Sequence, residues 1–138
     1  MRTLVMLLAL ILASPASAAG PDALAGAWTA TSAERDGAAA DDLIGHRLEF
    51  TGDAFRITDK DGQLLFAGSY TVDDSTAPAR IDFQHDRGQA AGATWEGIYR
   101  LDGDQLTIVD DAPDPAKARP TGFTAAEGSG HVLLVFAR

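Results

Sequence analysis

The stretch Thr94-Trp95-Glu96-Gly97-Ile98-Tyr99-Arg100-Leu101-Asp102-Gly103-Asp104-Gln105-Leu106-Thr107-Ile108 decides the fold class. Trp95, Gly97, Tyr99 and Leu101 fall on alternate positions, with Glu96 and Arg100 between them. Successive side chains of an extended chain point to opposite faces, so this alternation describes a strand with one face toward a core. Asp102-Gly103 supplies the backbone freedom of a tight turn, and Gln105 to Ile108 resumes the extended pattern. Strand, short turn and strand make an antiparallel hairpin.

The same grammar holds in both directions. Upstream, Ala79–Gln84 carries Ile81 and Phe83 on one face, and Leu64–Val72 carries Phe66, Gly68, Tyr70 and Val72. Before them, Phe55–Thr58 and His46–Thr51 alternate around the Gly52-Asp53 turn, and Asp59-Lys60-Asp61-Gly62 is the next turn. Gly26–Thr31 opens the series, with Ala38–Leu43 read as a helical turn or a loose loop. Asp73–Pro78, His85–Gly92 and Asp110–Lys117 read as polar loops, Thr121–Thr124 as a short strand, and His131–Phe136 as the last strand. No helix-period segment is long enough to cross over between parallel strands, so sequence neighbours should be antiparallel neighbours in space. The fold class is all-β. A meander of about eight strands hides its edges by closing into an up-and-down barrel, with a two-sheet sandwich as the alternative.

Composition narrows the functions. The 138 residues hold 20 Asp and Glu against 11 Lys and Arg, a net charge of −9 that opposes binding to nucleic acid. The absence of cysteine removes disulfides, thiolate zinc sites, thiol catalysis and a lipid-modified N-terminal cysteine. At the N-terminus Arg2 precedes the apolar run Leu4–Ala13, and Ser14-Pro15 and the small-residue pattern Ala16-Ser17-Ala18 follow. That order is a secretory signal peptide, and its apolar run is about half of what a membrane-spanning helix needs. The chain therefore divides into a signal peptide, 1–18, and one barrel domain, 19–138, with no membrane span after cleavage. A periplasmic or extracellular monomer is expected.

Several blocks together resemble the planctomycete-type lipocalin-like domain, a family of exported bacterial proteins near the calycins. They are Leu24-Ala25-Gly26-Ala27-Trp28, Ser32–Gly37, Leu48–Asp53, Gly68-Ser69-Tyr70, Pro78–Asp82, Gly97–Leu106, Arg119-Pro120 with Phe123, Gly128-Ser129-Gly130 and Leu133–Arg138. The blocks run in order from Leu24 to Arg138, and Val109-Asp110-Asp111 departs from the family where a cysteine often follows that strand. The resemblance implies a lipocalin-like barrel and no established activity. It also implies that Trp28 of the Gly26-Ala27-Trp28 triplet closes one barrel end. Gly26 would allow either a close backbone approach or a bend that lets the ring fold over the barrel end, and Arg138 (or else Arg119) would lie over the indole in a cation–π contact.

Chemistry is harder to place. His46, His85 and His131 stand apart, and if Asp82 lies in a strand that His85 ends, the two face opposite sides, which argues against a metal site. Asp41-Asp42, Asp73-Asp74 and Asp110-Asp111 read as solvated loop pairs, Ser129 as a turn residue, and no Gly-rich loop opens a helix to hold phosphate. Neither metal nor cofactor is expected, and the protein is not read as an enzyme. The lumen is the remaining candidate. Phe66, Tyr70, Trp95 and Tyr99 are the residues expected to line a pocket, with Gly68 and Gly97 leaving space beside the rings. The inward face of 79–84 stays open: either Asp82 is outside, or it is a buried acid paired with Arg119, Arg80 or Tyr99. Two functions follow, a barrel for a small apolar or amphipathic ligand, or a module for a protein partner such as a protease inhibitor or an envelope scaffold.

Overall fold

The computed structural model describes residues 21–138, so the expected signal peptide, 1–18, lies outside the described residues. A short helix α1 (Pro21–Leu24) leads into β1 (Gly26–Arg35). Then follow β2 (Ala38–Ala39), a 3-10 turn (Asp41–Leu43), β3 (Arg47–Thr51), β4 (Ala54–Thr58) and β5 (Leu64–Asp73). The series ends with β6 (Ala79–Gly88), β7 (Thr94–Asp102), β8 (Gln105–Asp110) and β9 (Val132–Ala137).

Every pairing is antiparallel. Strands β3 to β9 pair in sequence order, β1 pairs with β3 through its first half and with β9 through its second, and the sheet closes. The two-residue β2 only extends β1 at one end, which leaves eight strands in the barrel wall. The expected up-and-down antiparallel barrel is the observed architecture. Closure pairs the edges that an open sheet would expose.

Register fixes which residues point inward, because residues directly opposite share a face. One such line runs Trp28–Leu48–Ile57–Phe66 across four strands, and another runs Phe50–Phe55–Gly68–His85. A third, Ile81–Gly97–Asp110–Val132–Arg35, crosses to the closing seam. The aromatic rings thus converge in the lumen: Phe50 and Tyr70 centroids are 4.6 Å apart, and Phe55 meets Phe83 edge-on at 4.9 Å. With Ile81 and Phe83 buried, Asp82 is on the outside, which settles the face left open by the sequence.

Three expected elements differ. Thr121–Thr124 forms no strand; it belongs to a segment laid over the outer wall of β6 and β7. Arg119 Nη1 holds that segment by donating to Asp82 Oδ1 at 2.6 Å and to the Gly97 carbonyl at 2.8 Å, and Arg100 stacks over Phe123 at 4.5 Å. Segment 38–43 splits into β2 and the 3-10 turn. Strand β6 continues through His85 to Gly88, where a loop had been expected, with Asp86 as the extra residue of a bulge opposite Ala67 and Gly68. The bulge breaks the alternation by which a strand is recognised.

Gly68 and Gly97 do not leave room beside the rings. A Cβ at Gly68 would sit 1.8 Å from the Gln84 carbonyl oxygen, and one at Gly97 would sit 2.6 Å from that of Val109. Both glycines are dictated by close backbone approach between neighbouring strands.

Candidate functional site

The two ends of the barrel differ. At one end α1 caps the lumen: the Trp28 indole N–H donates to the Leu24 carbonyl at 2.9 Å, and both side chains are fully buried. The Arg138 guanidinium lies 4.3 Å from the Trp28 ring centroid and donates to the Ala23 carbonyl at 3.1 Å. Gly26 has φ +116° with open space where a Cβ would be, so it supplies the bend between α1 and β1 and not a close approach. Arg119, the other candidate for the Trp28 ring, is engaged on the outer wall.

The opposite end carries the 3-10 turn, the end of β4, the start of β7 and the junction of β8 with β9. There a cavity of about 230 Å³ opens into the lumen. Phe66, Phe83, Trp95, Ile108 and Leu134 form its apolar wall, and Leu43, His46 and Pro113 stand at the mouth side. Of the four residues expected to line a pocket, Phe66 and Trp95 line this cavity. Tyr70 and Tyr99 belong to the packed core but not to the cavity wall. The Tyr70 hydroxyl donates to the Gly52 carbonyl at 3.1 Å, and burial pushes the Tyr99 phenol up to about 12. Buried core side chains fill the lumen around Trp28, and the cavity lies toward the other end.

Three ionisable side chains line the cavity: Arg35, His46 and Asp110. Arg35 is committed to Asp42, with two hydrogen bonds of 3.2 and 3.1 Å. Asp110 ends β8 on the lumen face at 3% exposure, and its Oδ1 accepts the Ala112 backbone N–H at 3.0 Å. Burial raises its carboxyl to about 7, only partly opposed by that hydrogen bond. Asp111 points the other way and accepts the Glu96 N–H at 2.8 Å; burial raises its carboxyl too. The sequence reading of Asp110-Asp111 as a solvated loop pair is therefore overturned: both are buried.

His85 is the second group the sequence misplaced. Its imidazole lies inside the barrel at 5% exposure, with ring centroids of Trp95, Phe55 and Phe66 at 4.0, 5.1 and 5.5 Å. Neither ring nitrogen has a hydrogen-bond partner among the described residues, and burial pulls the imidazole down to about 4, with nearby Asp86 opposing. The neutral form is thereby strongly favoured. Asp82 and His85 do face opposite sides of β6.

Among the described residues, no Ser, Thr, Cys or Lys side chain lines the cavity. Among the described residues, no three His, Asp or Glu side chains converge as a metal site. No helix among these residues is long and apolar enough to cross a membrane. Set against known proteins, the chain matches no family model, no curated protein and no solved structure.

Proposed function

We propose that this chain is an exported binding barrel of the planctomycete-type lipocalin-like family that holds a small apolar or amphipathic molecule in its lumen. The single observation that carries the reading is the one-ended cavity: an apolar pocket open at the β8–β9 end and sealed at the other by Trp28, α1 and Arg138. Sites for drug-sized ligands run to roughly 300–1,000 Å³, so a cavity of about 230 Å³ suits a smaller molecule, with an aromatic or short branched body. Trp95 and Phe66, which meet edge to face at 4.7 Å, both line the cavity and give it an aromatic wall suited to such a body. The signal peptide read at 1–18 supports export, and the order of sequence blocks from Leu24 to Arg138 supports the family.

The test is native mass spectrometry of the mature protein isolated gently from its own host. A small molecule that leaves on denaturation, and is missing from Leu134→Trp, where an indole would fill the cavity, supports the reading. Retention of the same molecule by Leu134→Trp would place it elsewhere and defeat the reading. The protein-partner alternative has less support. Among the described residues the exposed large apolar side chains are Ile44, beside cavity-lining Leu43, and Leu64 at the start of β5. Two such side chains fall short of the contiguous patch that marks an interface.

A further inference from the structure

Resting on that reading of the lumen, we infer that Asp110 is the polar anchor of the ligand site and that the ligand carries a primary amine, or a similarly small organic cation, on its apolar body. The placement of Asp110 follows from register. It stands opposite Gly97 on β7 and Val132 on β9, in the line that begins with the inward Ile81. Its side chain therefore projects into the cavity among Trp95, Ile108 and Val132. The close approach of β7 and β8 at Gly97 sets Asp110 directly against that glycine: a Cβ there would come within 2.9 Å of the Asp110 Cβ.

A turn-forming role does not require this burial. Asp59 and Asp73 make the same hydrogen bond, side chain to the backbone N–H two residues on, from positions open to solvent. Asp110 makes it while nearly sealed from water, and no Lys, Arg or His among the described residues forms an ion pair with it. A buried carboxylate without a cation is costly, and a ligand ammonium supplies the missing partner in an apolar setting where such a pair is strong. A ligand carboxylate would meet like charge at the same point, and a neutral hydroxyl would offer a hydrogen bond without the opposite charge.

The neighbouring charges are accounted for. Asp111 is turned to the Glu96 N–H, and Arg35, in the same register line across β9, is held by Asp42. His46 lines the same cavity from the segment between the 3-10 turn and β3. His85 is packed behind Trp95 and Phe66.

The experiment titrates three probes of similar shape, 2-phenylethylamine, 2-phenylethanol and 3-phenylpropionate, into the full mature chain near pH 8, followed by the Trp95 indole NMR signal. The amine should bind about tenfold or more tighter than the alcohol, as expected for a charge-assisted hydrogen bond, with the acid weakest. In Asp110→Asn the amine and alcohol should come within about twofold of each other. Equal binding of amine and alcohol by the wild type, or a preference that survives in Asp110→Asn, overturns the amine assignment while leaving the lumen site intact. Failure of all three probes to bind is evidence against the lumen site itself. Should Asp110→Asn not fold, the same series in His46→Gln decides: the amine preference must shrink between about pH 8 and pH 5 as Asp110 takes up a proton. An unchanged preference overturns the assignment.

Discussion

His85→Phe isolates the energetic effect of a buried imidazole among aromatic rings. The native ring is enclosed by Phe55, Phe66 and Trp95, and burial lowers it from 6.5 to about 4. Between those values the unfolded chain binds a proton that the folded chain refuses, so stability falls as pH drops through this window. Two and a half pH units at 1.36 kcal/mol each give about 3 kcal/mol, fully lost near pH 4. Phenylalanine cannot protonate, so the variant should gain about 3 kcal/mol over the wild type between pH 8 and pH 4. For a domain of this size that is a relative rise in Tm of roughly 12 °C. The slightly larger phenyl ring adds a packing cost of about 1–3 kcal/mol, but that offset is the same at every pH and drops out of the slope. Other titrating groups drop out too, since both proteins share them. The assay is a set of reversible urea or thermal melts of both proteins at half-unit pH steps. A stability difference that stays constant across the range would refute the assignment of His85 as a buried neutral imidazole.

Asp110→Asn should show the opposite sign. Its carboxyl is raised from 3.8 to about 7, so its contribution to stability is fully present below 3.8 and is lost as pH rises through 7. The amide variant should therefore overtake the wild type by about 3–4 kcal/mol above neutrality and show little advantage near pH 4, read from the same melts. Arg138→Ala removes the contact with Trp28 and the hydrogen bond to Ala23, and should cost about 1–2 kcal/mol in urea denaturation; an unchanged midpoint would mean that the cap does not need the guanidinium. Gly68→Ala, which drives a Cβ against the Gln84 carbonyl, should cost more than about 3 kcal/mol or abolish folding. Gly122→Ala, which meets nothing within 4 Å, should stay within about 0.5 kcal/mol in the same assay.

The barrel was legible because its wall obeys one rule almost throughout. Trp95, Gly97, Tyr99 and Leu101 alternate along β7, and their partners Phe83, Ile81, Ile108 and Leu106 alternate in step, so one hairpin predicts the face of the next. Short turns such as Asp102-Gly103 leave no chain for a crossover, which made the antiparallel order follow from loop length. The volume of the lumen was not legible. Which aromatic rings fill it and which only line it depends on where the ladders stagger around the barrel, and no single strand encodes that. Phe66 and Tyr70 share a face of β5, yet the first lines the cavity and the second packs into the core with its hydroxyl on Gly52.

His85 and Asp110 were missed for a reason built into the rule itself. Alternation identifies the inward face by its apolar residues, so a polar residue at an inward position reads as the end of the strand. His85 stands where the apolar series Ile81, Phe83 would be continued, and Asp110 stands one step beyond Leu106 and Ile108. The Asp86 bulge just after His85 and the Asp110–Ala112 turn just after Asp110 then remove the continuation that would have exposed the error. The side chains that give a barrel lumen its chemical character are thus those most easily assigned to loops. A sequence reading can recover them by extending each strand by one alternate position and asking whether a His, Asp or Glu falls there. Applied to β6 and β8, that extension finds both His85 and Asp110, and closure of the barrel places both of them inside.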